Sequence, residues 1–290
     1  MSQCSFPRSQ KRLEDTKRSR QKGLRGRKVG GNTIRKEIET FRAVWSWGVD
    51  AGKLQGDFPK KGLRFPKQIE KPVFQTWEEI ERQIEQGGLT EAEQADLWDC
   101  LFLNLHEIDE ILNFVKQCAR QPFVYPMFIM AAHTGARRSE LLRSQVTDFN
   151  GDTVTIRERK RVRGKQSTRR VALSVELRQV MDEWFASHPG GNHTFGQVDV
   201  VRSKKHGQGP RAVTRDEAHD HFKRALAGSK WDKIKGWHCF RHSFCSNCAM
   251  KGIDQRIIDA WVGHTTEDMR RRYRHLFPNS EKQAMSLVFG

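Results

Sequence analysis

Apolar residues recur at helical spacing along most of the chain. The first such pattern follows a pair of capping residues at 32–33 and ends near Gly48. Its apolar positions lie three or four residues apart: Ile34, Ile38, Phe41 and Trp45. This spacing predicts one amphipathic helix of moderate length. The Pro- and Lys-rich segment 59–72 then indicates an extended linker.

Two capping boxes predict the next helix starts. They are Thr76-x-x-Glu79 and Thr90-x-x-Glu93, and Gly87-Gly88 separates them. We expect the first helix to carry Ile80 and Ile84, and the second Leu97, Leu101 and Leu105. A further helix presents one apolar face: Ile108, Ile111, Leu112 and Val115. The run 123–132 is nearly all apolar and predicts a buried helix that delivers Arg137 to the interior.

The pattern then changes from helical spacing to alternation. Residues 153–156 alternate as a strand does, and 169–173 predict its partner, with a basic turn over Arg159–Ser167 between them. Three helices should follow, over 174–187, from Thr214-x-x-Glu217 and over 238–251, and then two short helices carrying residues 264 and 273. The expected fold class is mainly α with a small antiparallel β-sheet (α+β).

The composition of the chain also indicates what kind of partner it binds. The 290 residues carry a formal net charge of +17, which predicts a polyanion, and double-stranded DNA is the partner we expect. The sequence has no apolar run long enough to span a bilayer and its first ten residues do not resemble a signal peptide. We therefore expect a protein of the cytoplasm, with no membrane partner.

The cysteines do not form a metal-binding pattern. There are six, and Cys245-x-x-Cys248 has ligand spacing but no second pair at zinc-finger distance. Buried free thiols are the interpretation that fits best. We expect no metal and no cofactor.

Four short motifs stand in a fixed order. TGARRSE spans 134–140, HCFR spans 238–241 and GH spans 263–264, while Tyr273 stands nine positions after the last of these histidines. Together they resemble the tyrosine recombinases, the phage-type integrases, which carry T-G-x-R-x-S-E, H-x-x-R and G-H before a nucleophilic tyrosine at that distance. The first motif alone could equally end one helix and cap another. The order and spacing of all four make the resemblance specific, over roughly the C-terminal two thirds of the chain.

The resemblance implies a catalytic tyrosine-recombinase domain over 100–290, preceded by a short or truncated helical core-binding region. We expect a basic, mobile arm or a fraying helix over 1–31. Residues 32–72 should form a partial helical core-binding, DNA-binding region with its linker, and 73–99 a helical connection. In this family the two domains form a C-shaped clamp around DNA.

The resemblance also implies the chemistry. Tyr273 would attack a DNA phosphodiester and form a 3′-phosphotyrosine with a free 5′-hydroxyl. Arg137 and Arg241 would hold the non-bridging oxygens, because a guanidinium meets them bidentately and stays charged. His238 would accept the tyrosine proton or orient the phosphate, and His264 would hydrogen-bond a phosphate oxygen.

The leaving 5′-oxygen needs a proton donor, which in this family is a lysine of the β-hairpin. Lys160, expected at the end of the first strand, fits best. Lys165 in the predicted turn is the alternative, because hairpin length varies.

Other residues near the motifs have simpler interpretations. Glu140 is expected to be a buried partner of an arginine, and Tyr125 a core residue. The histidines outside the motif positions should be structural or face DNA: His133, His242 and His275. The run Arg270–Arg272 could be a solvated helix face or a phosphate contact.

The expected function is that of a site-specific DNA recombinase that integrates or excises a mobile element of a bacterium or phage. Self-association as a tetramer on DNA and DNA-bending accessory proteins are expected partners. The alternatives are a non-catalytic basic DNA-binding remnant and a type IB topoisomerase-like enzyme. The G-H motif nine residues before Tyr273 favours the recombinase. A metal-dependent nuclease lacks support, because no carboxylate cluster suits two metals.

Overall fold

The computed structural model describes residues 31–60, 62–63, 72–162, 165–198, 209–263 and 266–277. The chain divides into two compact units after Lys71. In the first unit, helix α1 spans Gly31–Asp50, which confirms the helix predicted there. Phe58 packs edge-on against Phe41 and Trp45 at ring distances of 5.8 and 5.9 Å, so the chain after α1 folds back onto the helix.

The second unit is mainly helical within its described residues. Its helices are α2 Trp77–Glu85, α3 Glu91–Trp98, α4 Leu105–Cys118, α5 Val124–Thr134, α6 Arg138–Leu141, α7 Val175–Ala186, α8 Arg215–Leu226, α9 His238–Met250, α10 Gln255–Val262 and α11 Glu267–Arg274. Short 3₁₀ turns lie at Val146–Asp148 and Lys230–Lys233. This agrees with the expected fold class.

Local capping sets most helix starts. Thr76, Thr90 and Thr214 each form a capping box with a glutamate three residues later. The prediction that α3 continues through Leu101 and Leu105 is wrong. Leu101 forms a parallel bridge with Gln75. The side chain of Asn104 accepts from the backbone of Glu107, which starts a new helix at Leu105.

The sheet order is β1-β2-β3, all antiparallel, with β1 at Phe149–Asn150, β2 at Thr153–Val162 and β3 at Lys165–Ala172. The strands run through most of the segment predicted as the basic turn Arg159–Ser167, so that prediction was wrong. The register is irregular between Arg157 and Arg161. A second, two-stranded sheet of Gly196–Val198 (β4) and Pro210–Ala212 (β5) was not predicted.

The core is built around α5, the helix predicted to be buried. Phe128 on this helix is fully buried and stacks on Phe222 of α8 at a ring distance of 5.2 Å. Trp237 and Phe240 contact the same ring at 4.7 and 5.5 Å. Each large apolar side chain buried in this way contributes about 1.5–3 kcal/mol. The aromatic cluster therefore fixes α9 against α5.

None of the cysteines described by the structure forms a disulfide with another described residue. Cys100, Cys239 and Cys245 are buried, as predicted, but Cys118 is exposed. Burial raises the pKa of the Cys239 thiol to about 12, with smaller and opposed contributions from Ser243 and Glu107. Within the described part of the chain, no group of three His, Cys, Asp or Glu side chains could hold a metal ion. No helix described there is long and apolar enough to cross a bilayer.

Candidate active site

The first motif turns sharply at the end of α5. Gly135 adopts a left-handed conformation with φ 60° and ψ 19°. A Cβ there would lie 2.9 Å from the ring of Phe244, so glycine is required for both reasons. The turn leaves Arg137 as the residue before α6, with its side chain 35% exposed. Arg137 can therefore reach a ligand at the surface.

Glu140 holds Arg137 in place through two hydrogen bonds. Its carboxylate accepts from the Arg137 backbone N at 2.9 Å and from Arg137 Nη1 at 2.7 Å. Arg169 Nη2 donates to the same carboxylate at 2.7 Å. Glu140 is buried, which alone would raise its pKa, but the hydrogen bonds and charges of the two arginines outweigh burial and lower the pKa to about 2. The prediction that Glu140 is a buried partner of an arginine is confirmed.

Arg241 connects its own motif to the first motif and to the residue before the G-H motif. It lies on α9 and is 5% exposed. Its Nη1 donates to the Gly135 carbonyl at 2.9 Å and its Nη2 to the Val262 carbonyl at 2.5 Å. Burial, followed by repulsion from Arg137, lowers its pKa to about 10, so it stays charged at neutral pH. This side chain therefore joins the end of α5 to the end of α10.

His238 is the first residue of α9 and stands one turn before Arg241. Burial lowers the pKa of its imidazole, and the charges of Arg241 and Arg137 lower it further. The ring is therefore neutral at pH 7 and can accept a proton or a hydrogen bond. His238, Arg241 and Arg137 form one electropositive group.

Arg169 was missed by the sequence analysis. It lies on β3 and is 9% exposed. Its Nε donates to the Trp261 carbonyl at 2.6 Å, and its Nη1 to Glu158 at 3.2 Å. One signal was available: in the alternation of this strand, an arginine occupies the inward face beside Val171, and buried charges require partners.

Gly263 lies against this ion-pair group. Its backbone has φ 72° and ψ 169°. A Cβ there would meet Glu158 Oε1 at 2.2 Å and Arg169 Nη1 at 3.3 Å. The glycine of the G-H motif is thus required both by its conformation and by the carboxylate beside it.

Tyr273 lies on α11 and is 1% exposed. It packs in a buried cluster that includes Phe74, Cys245 and Val262. Gln255 Nε2 donates to the phenolic oxygen at 3.0 Å. The hydroxyl is therefore inside the unit, beneath its surface.

The neighbouring Arg272 anchors α11. It is 7% exposed, its Nε donates to the Pro72 carbonyl at 3.0 Å, and its guanidinium lies 3.9 Å from the centre of the Phe74 ring. Neither interpretation offered for the run Arg270–Arg272 fits this residue. Arg270 instead pairs with Asp259 at 2.7 Å. Arg270 and Arg272 therefore stabilise the helix that carries Tyr273.

The side chains of three predicted site residues lie outside the described part of the structure: His264, Lys160 and Lys165. His264 lies outside the described residues. Lys160 lies within β2, which continues past it to Val162, so the prediction that it ends the strand is wrong. Lys165 begins β3, so its placement in a turn was also wrong. The side chains of both lysines lie outside the described part.

Two of the three flanking histidines, and Tyr125, have structural contacts. His133 Nδ1 lies 2.7 Å from Ser174 Oγ at the start of α7. His242 packs on the Phe74 ring at 4.4 Å. Tyr125 is half-buried against the main core, which agrees with the prediction for it.

Comparison with known proteins gives one family. Residues 102–280 match the model of the phage integrase family. A tyrosine recombinase XerD of Bradyrhizobium diazoefficiens is 29% identical over 160 residues, which are 53% of this chain and 48% of that protein. The chain thus matches over about half the length of this curated relative.

The chain also matches solved structures. The integrase of the Tn1549 transposon, in complex with circular intermediate DNA, has a TM-score of 0.56 at 16% identity, covering 99% of this chain and 88% of that one. The XerH site-specific recombinase bound to its difH substrate has a TM-score of 0.49 at 17% identity, covering 71% and 68%. The first of these supports the fold.

Proposed function

Because the chain belongs to the phage integrase family, we propose that it is a tyrosine-type site-specific recombinase. It cleaves and rejoins double-stranded DNA through a covalent 3′-phosphotyrosine and thereby integrates or excises a mobile element. The residues proposed to act are Arg137, Lys160, His238, Arg241, His264 and Tyr273. No metal or cofactor takes part.

One observation carries the proposal. Arg241, in the second motif, hydrogen-bonds the carbonyl of Gly135 in the first motif and that of Val262, the residue before the G-H motif. The charge of Arg137 lowers the pKa of Arg241. The charge of Arg241 in turn lowers the pKa of His238, so the three side chains lie close together. An electropositive group of this kind, held rigidly before the substrate arrives, suits a phosphate whose charge increases in the transition state.

The proposed reaction assigns each group a step. The Tyr273 oxygen attacks phosphorus, and its proton passes to the neutral His238. Arg137 and Arg241 stabilise the non-bridging oxygens. The 5′-oxygen leaves with a proton from Lys160, and Lys165 is the alternative donor. His264 donates a hydrogen bond to the phosphate. A 5′-hydroxyl of another DNA end reverses these steps, so the phosphotyrosine conserves the bond energy.

The burial of Tyr273 adds a condition to this proposal. At 1% exposure its hydroxyl cannot meet a phosphate on the surface. Attack therefore requires α11 to move, and the hydrogen bond from Gln255 must break. Productive DNA binding includes this rearrangement.

The proposed partners follow from the charge and the family. The net charge of +17 favours a polyanion, and duplex DNA supplies it. Recombination needs two DNA sites, so four copies assemble on DNA, with DNA-bending proteins as accessory factors. The protein acts in the cytoplasm on chromosomal or phage DNA.

A second candidate is a non-catalytic DNA-binding remnant, and the buried hydroxyl of Tyr273 is the observation that favours it. Covalent chemistry separates the two. The wild-type protein is mixed with a nicked duplex taken from the DNA that flanks the coding region, and adducts are resolved on a denaturing gel. The recombinase forms an adduct and the remnant forms none.

The variant Tyr273→Phe keeps the ring in its cluster but removes the attacking oxygen. It should bind DNA and form no adduct. The matched control is Tyr125→Phe, because Tyr125 is the other of the two tyrosines in the chain. Adduct formation should survive there. An adduct with Tyr273→Phe would contradict the assignment of the nucleophile.

A further inference from the structure

We propose that Arg169 is a positioning residue of the DNA-cleavage site, which sets the relative placement of Arg137 and of the G-H motif. The inference rests on the recombinase function proposed above. Arg169 touches no reacting atom in this role and acts through Glu140, Glu158 and the end of α10.

The contacts of Arg169 lead in two directions. Towards α6, its Nη2 donates to Glu140 at 2.7 Å, and Glu140 accepts from Arg137 Nη1 at 2.7 Å. Towards α10, its Nε donates to the Trp261 carbonyl at 2.6 Å, two residues before Gly263. One guanidinium thus connects Glu140, which holds Arg137, to the segment that precedes His264.

Glu158 adds a further contact on the side of α10. Its Oε1 accepts from Arg169 Nη1 at 3.2 Å, and its Oε2 accepts from Ser167 Oγ at 2.7 Å. The carboxylate fills the space where a Cβ of Gly263 would lie. Arg169 therefore fixes the carboxylate that packs against Gly263.

Only arginine can make this set of contacts. Three different nitrogens of one planar group each reach a different partner, whereas a lysine offers a single nitrogen. Arg169 is buried, so an unpaired partner would not be satisfied by water. The variant Arg169→Lys keeps the charge and at most part of the network, so it tests the geometry of the site separately from its charge.

The experiment compares wild-type protein, Arg169→Lys and Arg157→Lys on the nicked flanking duplex. Arg157 is a matched control on the same hairpin. It pairs with the buried Asp148 at 2.6 Å and takes no part in the group that holds Arg137. For each protein we would measure urea unfolding, the DNA dissociation constant, and the single-turnover rate of adduct formation at saturating protein.

The expected result is a split between binding and rate. Arg169→Lys should bind DNA as the wild type does, while the saturated rate falls by about 10²-fold, since misplacement of a reacting group by about 1 Å has this effect. Arg157→Lys should keep the wild-type rate. A variant with a merely structural defect would lose folded protein and binding capacity without a lower rate per bound complex.

A second variant covers the case in which Arg169→Lys does not fold. Glu158→Gln preserves size and one hydrogen-bond acceptor and removes the charge beside Gly263. It should lower the saturated rate in the same direction. Coupling is tested with Glu140→Gln: if Arg169 acts through Glu140, the double variant loses less than the two single losses combined.

The outcomes separate the two proposals. A wild-type adduct together with wild-type rates in folded Arg169→Lys and in Glu158→Gln overturns the role of Arg169 and leaves the recombinase function standing. Equal loss of rate in Arg157→Lys and Arg169→Lys also overturns it, because the effect would then belong to the hairpin as a whole. Absence of any wild-type adduct overturns the recombinase function and this inference with it.

Discussion

Gly263→Ala should be among the most destabilising single-methyl changes in the second unit. The backbone at Gly263, with φ 72° and ψ 169°, lies in a region that only glycine adopts easily. An L residue there costs about 1–3 kcal/mol. The added Cβ would also lie 2.2 Å from Glu158 Oε1, which is far inside contact distance.

The second part of the cost comes from Glu158. Its carboxylate can swing away from the methyl group only by leaving Arg169 at 3.2 Å and Ser167 at 2.7 Å. A hydrogen bond to a charged group contributes about 1.5–3 kcal/mol. The two parts together give a loss of about 2.5–6 kcal/mol.

The assay is urea unfolding followed by far-UV circular dichroism, with Gly228→Ala as the control. Gly228 also has a positive φ, +74°, but no atom lies within 4 Å of its added Cβ. Its cost should be the backbone term alone, about 1–2 kcal/mol. In a Glu158→Ala background the cost of Gly263→Ala should shrink. Equal losses at Gly263 and Gly228 would refute the reasoning.

Four further predictions concern acid stability, proton donation, metals and salt. Glu140 has a pKa lowered from 4.5 to about 2, so its charged form contributes stability above pH 4.5 that is lost as the pH falls towards 2. Chemical unfolding across this range should show wild type and Glu140→Gln converging at low pH, and a constant difference would contradict the role of Arg169 in that shift. Lys160→Ala should slow cleavage by about 10²–10⁴-fold, and sulfur at the bridging position should restore the rate because a thiolate leaves without a proton. Rescue of Lys165→Ala in its place would exchange the two lysines. Cleavage should continue in excess EDTA, and strict dependence on Mg²⁺ would place the protein in another mechanistic class. DNA affinity should fall log-linearly with salt, by a slope of about −0.9 per phosphate neutralised, and a flat response would argue against DNA.

Helices were predictable here because their signals are local. The capping boxes at Thr76, Thr90 and Thr214 combine a threonine and a glutamate three residues apart, and all three begin helices. The error at Leu101 has the same origin. Its spacing after Leu97 fits a helix, but the backbone of Leu101 pairs with Gln75, twenty-six residues away in sequence. Local periodicity carries no information about such a partner.

The hairpin was predicted too short for a related reason. Residues 159–167 are rich in Arg and Lys and lack the apolar alternation that indicates a strand. Pairing across the hairpin, such as Arg161 with Gln166, extends the strands without that alternation. Sequence alone therefore fixed neither the register nor the position of Lys160 within it.

Part of the candidate site could likewise be predicted from the sequence and part could not. The motifs located Arg137, His238 and Arg241, and the structure brings these three together. They did not indicate that the hydroxyl of Tyr273 would be buried, because a nine-residue spacing from His264 says nothing about which side chains cover the ring. Burial depends on Phe74 and Cys245, which belong to distant segments.

Arg169 shows most clearly what motif spacing leaves out. It belongs to none of the four motifs, and its role depends on the register that sets it opposite Ile156, within reach of Glu158. That register also directs it towards Glu140 and the Trp261 carbonyl. A motif records residues that meet the substrate, whereas the residue that spaces those motifs is defined by contacts between elements. A charged side chain on the buried face of a strand is the sequence feature by which such residues can be sought, since its burial requires partners that hold it.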